Sequence, residues 1–196
     1  MLTVSPDPVV VESQLQAGEL RCPVCAGVVG PWGSARLRKV RAGDRWQQLR
    51  PRRGRCRSCG ATHVLLPATL LLRRAVVVAV VGRALVLHVA GWGQRRIAGR
   101  LGVARSMVRG WLARFACRAE ALRSHFTRWA LWAEPAWTRL EPCSSPVADA
   151  LAALLAAGEA ARRSQGSRCA WQFASAATGG RLLCNTRSPF PAPWMG

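Results

Sequence analysis

The stretch that decides the fold is QRRIAGRLGVARSMVRGWLARF, from Gln94 to Phe115. Its first half places Ile97 and Leu101 four residues apart, on one face of a helix. Gly102 follows, at the position where a left-handed backbone most easily ends a helix. The second half returns to helical spacing with Val108, Trp111, Leu112 and Phe115. The stretch therefore predicts two helices that share one buried face across a tight turn, which is the pattern of a helix-turn-helix.

The opposite face of the second predicted helix is basic. Arg105, Ser106 and Arg109 lie on that face, and an arginine in the major groove can pair with guanine through two hydrogen bonds. The arginines that flank this surface are better placed to bind phosphates, and they are Arg95, Arg96, Arg100 and Arg114. All of these residues are predicted DNA contacts. The alternative is that the arginines only solvate an amphipathic pair of helices.

The neighbouring segments are predicted to complete an all-α helix-turn-helix domain over residues 69–135. Residues 76–90 form a supporting helix in this interpretation, although their β-branched run also suits a strand. Residues 118–132 carry apolar residues among arginines. They are predicted as a further helix or as an extension of the second helix.

Upstream, two C-x-x-C pairs predict a metal site. Cys22 and Cys25 form the first pair, and Cys56 and Cys59 form the second. Each pair can place two thiolates on one tight turn, and two such turns complete a tetrahedral site for Zn2+. A glycine closely follows each pair and supplies the permissive backbone that such turns need. The sequence therefore predicts one structural zinc ion in a small β zinc ribbon over residues 20–68.

Other interpretations of the cysteines stay open. A thioredoxin-like redox pair needs a βαβ context, which is absent around Cys22, and it leaves the second pair unexplained. Unligated thiols are the remaining alternative. His63 is predicted as a packed or solvent-edge residue, because four cysteines already complete the zinc shell. The unpaired cysteines are predicted to behave as small apolar residues, and they are Cys117, Cys143, Cys169 and Cys184.

The composition favours a polyanionic partner. The chain of 196 residues has 29 basic and 9 acidic residues and a formal net charge of +20. This charge favours nucleic acid first and an anionic membrane surface second, although arginine-rich composition can also reflect GC-rich codons. The charge-free apolar stretch 75–82 is too short to span a bilayer. Residues 1–18 lack the features of a secretory signal, so we expect a cytoplasmic, reducing location, where paired cysteines favour metal over disulfides.

Together these motifs resemble the DNA-binding front end of bacterial transposases. The matching segments are the first C-x-x-C pair, CRSCGATHVLLP from Cys56 to Pro67, and GWGQRRIAGRLGVARSMVRGWL from Gly91 to Leu112. The arrangement is similar in particular to small actinobacterial proteins of unassigned function that carry a zinc ribbon and a helix-turn-helix alone. The resemblance covers roughly residues 20–135, and it implies DNA binding without implying a particular target.

Two positions depart from the pattern of such motifs. Ala104 stands where a serine or threonine usually caps the second helix, which weakens that cap by about 1 kcal/mol. Met107 stands where a threonine is common, which removes a hydrogen bond to phosphate. We therefore expect lower affinity or specificity than such motifs usually give.

A transposase also needs a triad of metal-binding carboxylates on a ribonuclease-like domain. The carboxylates that follow Phe115 are Glu120, Glu134, Glu141, Asp149 and Glu159. Most of them lie in segments that are predicted as helix or loop, and little chain remains for such a domain. No catalytic residue and no enzyme activity is therefore predicted for this chain.

The remaining segments have weaker patterns. Residues 1–19 are an N-terminal segment without a structural prediction. Between the cysteine pairs, strands over 35–40 and 45–49 are predicted to form a hairpin around a turn at 42–44.

The tail, residues 136–196, is predicted as α-rich and partly irregular. Ser145 caps one Ala/Leu-rich helix over 147–163, whose leucine stripe packs on its own domain or pairs with a second copy as a homodimer. Two short strands over 171–173 and 181–184 also suit the sequence. A proline-rich end at 190–194 is predicted as loosely ordered.

The leading hypothesis is a non-catalytic, zinc-containing protein that binds double-stranded DNA and has no membrane partner. It would act as a transcriptional regulator or as a factor associated with a mobile element. One alternative is the recognition half of a transposase whose catalytic subunit is a separate chain. Another is a zinc-stabilised module that binds RNA or protein.

Overall fold

The computed structural model describes residues 1–135, 141–166, 169–184 and 190. A β-rich N-terminal part precedes a helical part, as the sequence predicts. The N-terminal elements are β1 (Leu2–Val4), α1 (Pro8–Ala17), β2 (Val29–Ser34), β3 (Arg38–Ala42), β4 (Arg45–Leu49), β5 (Arg52–Cys56) and β6 (Thr62–Pro67). The later elements are α2 (Val78–Val89), α3 (Gln94–Leu101), α4 (Arg105–Ala116), α5 (Ala119–Ala133), α6 (Pro146–Gln165) and α7 (Ala170–Ala177).

Four strands form one sheet in the order β1-β6-β5-β2. β1 runs parallel to β6, whereas β6 with β5 and β5 with β2 are antiparallel. In this register Cys56, at the end of β5, lies opposite Val29 at the start of β2. The sheet therefore brings the second cysteine pair beside the segment that carries the first.

Helix α1 covers this sheet and was missed in the sequence, where residues 1–19 received no structural prediction. Asp7 caps the helix, because its Oδ1 atom accepts a hydrogen bond from the Val9 amide at 2.8 Å. Gly18 ends it with a left-handed backbone, at a φ of 68°. The core under the helix consists of Val4, Val11, Leu15, Cys22, Val29, Cys56 and Leu65.

The hairpin predicted between the cysteine pairs is present, with a shifted first strand. β3 begins at Arg38 rather than at residue 35 and continues to Ala42, where it pairs with Arg45. Gly43 makes the turn with a φ of 69°. Val40 fixes the strand position, because its side chain is buried against Leu66 and Leu70.

The supporting helix expected over 76–90 is confirmed as α2, and the alternative of a strand is wrong. Its buried residues include Val81, Ala84 and Leu85, which have helical spacing. The helix expected over 118–132 is confirmed as α5. It is separate from α4, because the helix is interrupted at Cys117 and Arg118, which lie between the two elements.

The two helices predicted around Gly102 are confirmed as α3 and α4. Gly102 has a φ of 60°, and the Val103 amide that follows it donates to the Ala98 carbonyl at 3.1 Å. The predicted apolar residues of both helices are buried, as is Val103 in the turn between them. The pair therefore buries one shared face and leaves the opposite face of α4 in solvent.

The Ala/Leu-rich helix of the tail is confirmed as α6, which Ser145 caps through a 3.3 Å hydrogen bond from the Ala148 amide. The two strands expected further on are wrong. Residues 171–173 belong to α7, and residues 181–184 form a turn and flanking coil. Alanines around Phe173 favour the helix, and the Trp171 ring packs where Gly82 of α2 lacks a side chain. Residues 191–194 of the proline-rich end lie outside the described residues.

The helical part has one continuous core. Buried residues of α6 and α7, such as Leu154 and Phe173, contact the same cluster as those of α2 to α5. This agrees with a leucine stripe that packs within its own chain. Within the described residues, no helix combines the length and the apolar character needed to cross a membrane.

Candidate metal centre and basic surfaces

The four paired cysteines meet at one point. Their Sγ atoms all lie within 4.8 Å of one another. The Cys22 and Cys59 sulfurs are 3.8 Å apart, and the Cys25 and Cys56 sulfurs are 3.5 Å apart. All eight cysteines of the chain are free thiols, so these contacts are not disulfides. Each contact joins the first pair to the second, as a shared metal site requires.

Backbone turns aim the thiols at this point. In the first turn the Ala26 amide donates to the Cys22 carbonyl, and in the second the Gly60 amide donates to the Cys56 carbonyl. Within these two turns, Ala26 and Gly60 have a left-handed backbone conformation, with φ of 59° and 73°. Gly27 serves a different purpose from the one predicted, because a Cβ there would lie 2.3 Å from Ser58 Oγ. Its missing side chain lets the two turns approach each other.

At Cys56, backbone amides stabilise the thiolate form that binds metals. The Cys59 amide lies 3.5 Å from Cys56 Sγ. Its hydrogen bond, with that of the Ser58 amide, lowers the pKa of Cys56 to about 6. Cys22 and Cys56 are buried, while Cys25 and Cys59 are exposed. Half of the site is thus part of the sheet core.

The donor set fits a tetrahedral metal ion. Four thiolates at zinc–sulfur distances of about 2.3 Å have sulfurs about 3.8 Å apart. The observed separations of 3.5 and 3.8 Å approach this geometry. In the described residues no other group of three or more histidine, cysteine or acidic side chains is close enough to hold a metal ion. The four predicted ligands therefore form a site that can hold a metal ion.

His63 contacts this site without belonging to the ligand cluster. Its side chain is buried, and its Nε2 atom lies 3.3 Å from Cys22 Sγ. Burial lowers the pKa of His63. The contact arises because β6 pairs with β5, next to the second cysteine turn. The C-x-x-C spacing alone gives no sign of it.

The unpaired cysteines lie elsewhere. Cys117, Cys143 and Cys169 are exposed, and Cys184 is half-buried. The expectation that they pack as small apolar residues is therefore wrong for the three exposed thiols. They sit near helix ends or in loops, where periodicity gives little information about burial.

The predicted reading face of α4 is a continuous surface. Arg105, Ser106 and Arg109 are exposed and line one concavity of about 270 Å³. On α3, Arg95, Arg96 and Arg100 are exposed as well. The Arg96 guanidinium lies over the Trp92 ring at 3.7 Å, which restricts its orientation.

Arg114 occupies a different surface. It donates to the Gly110 carbonyl at 2.8 Å and lines a groove of about 210 Å³ between α4 and residues 73–76. Arg74 lies in the same groove. Ser106 lines this groove as well, so Arg114 shares a surface with part of the N-terminal end of α4 but lies outside the concavity that Arg105 and Arg109 line.

A second basic surface adjoins the metal site and was missed in the sequence. The Arg55 guanidinium lies 4.7 Å from the ring centroid of Trp32, which is 49% exposed. With Arg57 they line a cavity of about 340 Å³ that reaches Cys56. Trp32 and Arg55 are distant in sequence, so only the pairing of β2 with β5 shows that they are neighbours.

Four of the carboxylates that follow Phe115 contact an arginine or a backbone amide. Glu120 pairs with Arg123, Glu159 with Arg162, and Glu134 with Arg163. Asp149 accepts a hydrogen bond from the Cys143 amide at 2.6 Å.

Comparison with known proteins gives no match, whether the chain is compared with protein-family models, with curated proteins or with solved structures. The similarity to the DNA-binding region of transposases therefore stays a prediction from motifs. What the chain does has to be argued from its own surfaces.

Proposed function

We propose that this chain is a non-catalytic DNA-binding protein in which α3 and α4 act as a helix-turn-helix. The observation that carries the proposal is the division of α4 into two faces. Val108, Trp111 and Phe115 are buried, while Arg105, Ser106 and Arg109 share one exposed surface. An exposed basic helix face can enter the major groove, where arginine recognises guanine.

The charge of the molecule supports a nucleic-acid partner. The net charge is +20, and arginines of α3 are exposed on the element that precedes α4. In helix-turn-helix proteins the first helix crosses the DNA backbone. Arg95, Arg96 and Arg100 would then bind phosphates and fix the position of α4 over the bases.

The proposed metal is one structural zinc ion, held by Cys22, Cys25, Cys56 and Cys59. Four thiolates close the coordination shell, so zinc would supply folding energy rather than catalysis. The buried positions of Cys22 and Cys56 support this role, because the site is continuous with the sheet core. A separate catalytic chain from a mobile element remains a proposed partner.

Binding to RNA is the second candidate, and it is favoured by two exposed tryptophans. Trp32 is 49% exposed beside Arg55, and Trp46 is 61% exposed beside Arg41. Aromatic rings beside arginines can stack on unpaired bases. Duplex DNA is preferred because α4 offers a groove-binding face, whereas the two tryptophans lie on separate strands.

Replacement of base-reading and phosphate-binding arginines should have different effects. A preferred duplex would first be selected from a random library. Arg105→Ala or Arg109→Ala should then cost about 1–3 kcal/mol on that duplex and relax base preference. Arg96→Ala should weaken binding about equally on preferred and scrambled duplexes and reduce the salt slope by roughly one unit.

The control is Arg128→Ala, which removes an exposed arginine from α5. It should leave unchanged both the base preference and the difference in affinity between the preferred and scrambled duplexes. If the Arg105 and Arg109 variants lose preferred and scrambled binding equally, α4 does not read the sequence. If the chain selects an unpaired RNA and ignores duplexes, the second candidate replaces the first.

A further inference from the structure

The β3–β4 hairpin has one side that the core does not use. Strand residues alternate between faces, and Val40 on one face is buried against Leu66 and Leu70. The other face carries the cross-strand pairs Lys39 with Gln48 and Arg41 with Trp46. We call these four residues the hairpin surface. Lys39, Trp46 and Gln48 are exposed, and Trp46 is 61% exposed.

The backbone of β3 attaches this hairpin to the helical part. The Arg41 amide donates to the Ala75 carbonyl at 2.7 Å, and the Val77 amide donates to the Arg41 carbonyl at 2.9 Å. Val77 immediately precedes α2 and also packs against the buried Val40 cluster. The hairpin is therefore held to the unit that contains α3 and α4.

The side chain of Arg41 places the hairpin beside the turn between α3 and α4. Its Nε atom donates to the Gly43 carbonyl at 2.8 Å, and its guanidinium lies 5.8 Å from the Trp46 ring centroid. A Cβ built on Gly102 would lie 3.3 Å from a terminal nitrogen of Arg41. Arg105, the first residue of α4, follows Gly102 closely. The hairpin surface and the N-terminal end of α4 are thus neighbours.

The chemistry of the hairpin surface suits a DNA backbone. It combines two cations, an amide and an exposed indole, and the only acidic residue of the hairpin is Asp44 in the turn. Lysine and arginine bind phosphates without reading sequence, and an indole can pack on a sugar. The five-residue strands β3 and β4 span about 17 Å. The hairpin surface is therefore longer than the major groove is wide, at about 12 Å.

We propose that the hairpin surface is a second DNA contact, which binds the sugar-phosphate backbone beside the groove that α4 enters. This inference rests on the proposed function. Lys39 and Trp46 would make the contact, while Arg41 acts as a positioning residue between Trp46 and Gly102. The contact is independent of sequence, so it adds affinity and salt dependence but no base preference.

The test compares two double variants on two duplexes. Lys39→Gln/Trp46→Ala alters the hairpin surface, and Arg128→Gln/Trp132→Ala removes one exposed cation and one 41% exposed tryptophan from α5. Both duplexes contain the selected site, and one extends about 10 base pairs further on each side. Wild type and the α5 variant should bind the longer duplex more tightly. The hairpin variant should lose this gain, by about tenfold, with a salt slope lower by about one unit.

A measurement on the wild type alone does not depend on how the variants fold. Hydroxyl-radical footprinting should protect sugars beyond the bases whose identity Arg105 and Arg109 control. The hairpin proposal is overturned if this protection is absent. It is also overturned if the hairpin variant binds each duplex as tightly as the α5 variant does, while Arg109→Ala still reduces specificity. In that result the proposed function stands.

Two further outcomes are distinct. If wild type binds no duplex, the proposed function fails and the hairpin proposal fails with it. If the hairpin variant keeps duplex binding but loses binding to an RNA stem-loop, the hairpin surface is an RNA contact, and the proposal is overturned.

Discussion

His125 shows how strongly the helical core acts on a single side chain. The residue is fully buried in α5, and its Nε2 atom lies 3.0 Å from the Ala177 carbonyl. Its Nδ1 atom has no hydrogen-bond partner in the part of the chain that the structure describes. Burial lowers the pKa of His125 to about 4, and the positive charges of Arg128 and Arg118 act in the same direction. The imidazole is therefore neutral in the folded protein near pH 7.

Acid should destabilise the helical part through this residue. Between about pH 6.5 and 4 the unfolded chain binds a proton at His125 and the folded chain does not. The free energy of unfolding therefore decreases as the pH is lowered. The loss is complete below the folded pKa of about 4 and amounts to about 3 kcal/mol. Denaturant unfolding at steps from pH 7 to 4 measures it. His125→Gln should have a shallower pH dependence than wild type.

The matched control is His88→Gln, because His88 is an exposed histidine of α2. Acid also protonates cysteine thiolates, so the free energy of unfolding depends on pH in every variant. The test is therefore the difference in pH dependence between the two variants. If the His125 and His88 variants have the same pH dependence, His125 does not titrate as its burial requires.

Single residues of the metal site could be predicted because their chemistry is local. Each C-x-x-C turn specifies the geometry of its own two thiols, so Cys22, Cys25, Cys56 and Cys59 could be chosen as ligands from spacing, although the pairing of β2 with β5 brings the two turns together. The contact of His63 with Cys22 depends on strand register, which forms between residues distant in sequence. Local patterns therefore identify ligands more readily than the side chains that surround them.

At the scale of elements, the helix N-termini differ in how they are capped. Ser145 caps α6 and Asp7 caps α1 with side-chain hydrogen bonds. Ala104 precedes α4 without one, as the sequence predicts. Its φ of −64° and ψ of 140° already match an N-cap conformation, so a serine there needs no backbone change.

Adding and removing caps should therefore have opposite effects on stability. Ala104→Ser should raise the free energy of unfolding by about 1 kcal/mol, because the hydroxyl can accept from an unpaired amide of α4. Ser145→Ala should lower it by about the same amount. Urea unfolding followed by circular dichroism measures both changes. An Ala104→Ser variant that is less stable than wild type would contradict this account of the α4 N-terminus.

Elements that combine marked ends with a regular apolar pattern were predictable, and elements that lack either were not. Gly102 and the apolar residues around it fix the ends of α3 and α4. The sequence of α7 contains few such signals, and its burial depends on contacts with α2 and α6. Residues 171–173 were consequently assigned to a strand. Helix α1 was missed although Asp7 and Gly18 mark its ends.

At the scale of the whole molecule, the two parts differ in the size of their cores. The core of the helical part draws on α2 to α7. The sheet core contains far fewer residues, and two of these are the cysteines Cys22 and Cys56. A domain with so few buried apolar side chains usually needs a metal or disulfides to stay folded. Because the cysteines are free thiols, we expect the sheet to depend on the proposed zinc ion.

Metal removal should therefore unfold the sheet together with α1 and leave α2 to α7 folded. Protein purified without added metal should contain about one zinc ion per chain, and a chelator should remove the lower of two thermal transitions. Cys25→Ser should have the same effect, since Cys25 belongs to the site. Cys117→Ser, which replaces an exposed thiol outside the site, should retain both the metal and the transition. The circular dichroism signal of α2 to α7 should persist, because the four cysteines of the proposed zinc site lie outside their core. A metal-free protein whose thermal unfolding equals that of the zinc-bound form would show that the four cysteines do not stabilise the sheet through a metal.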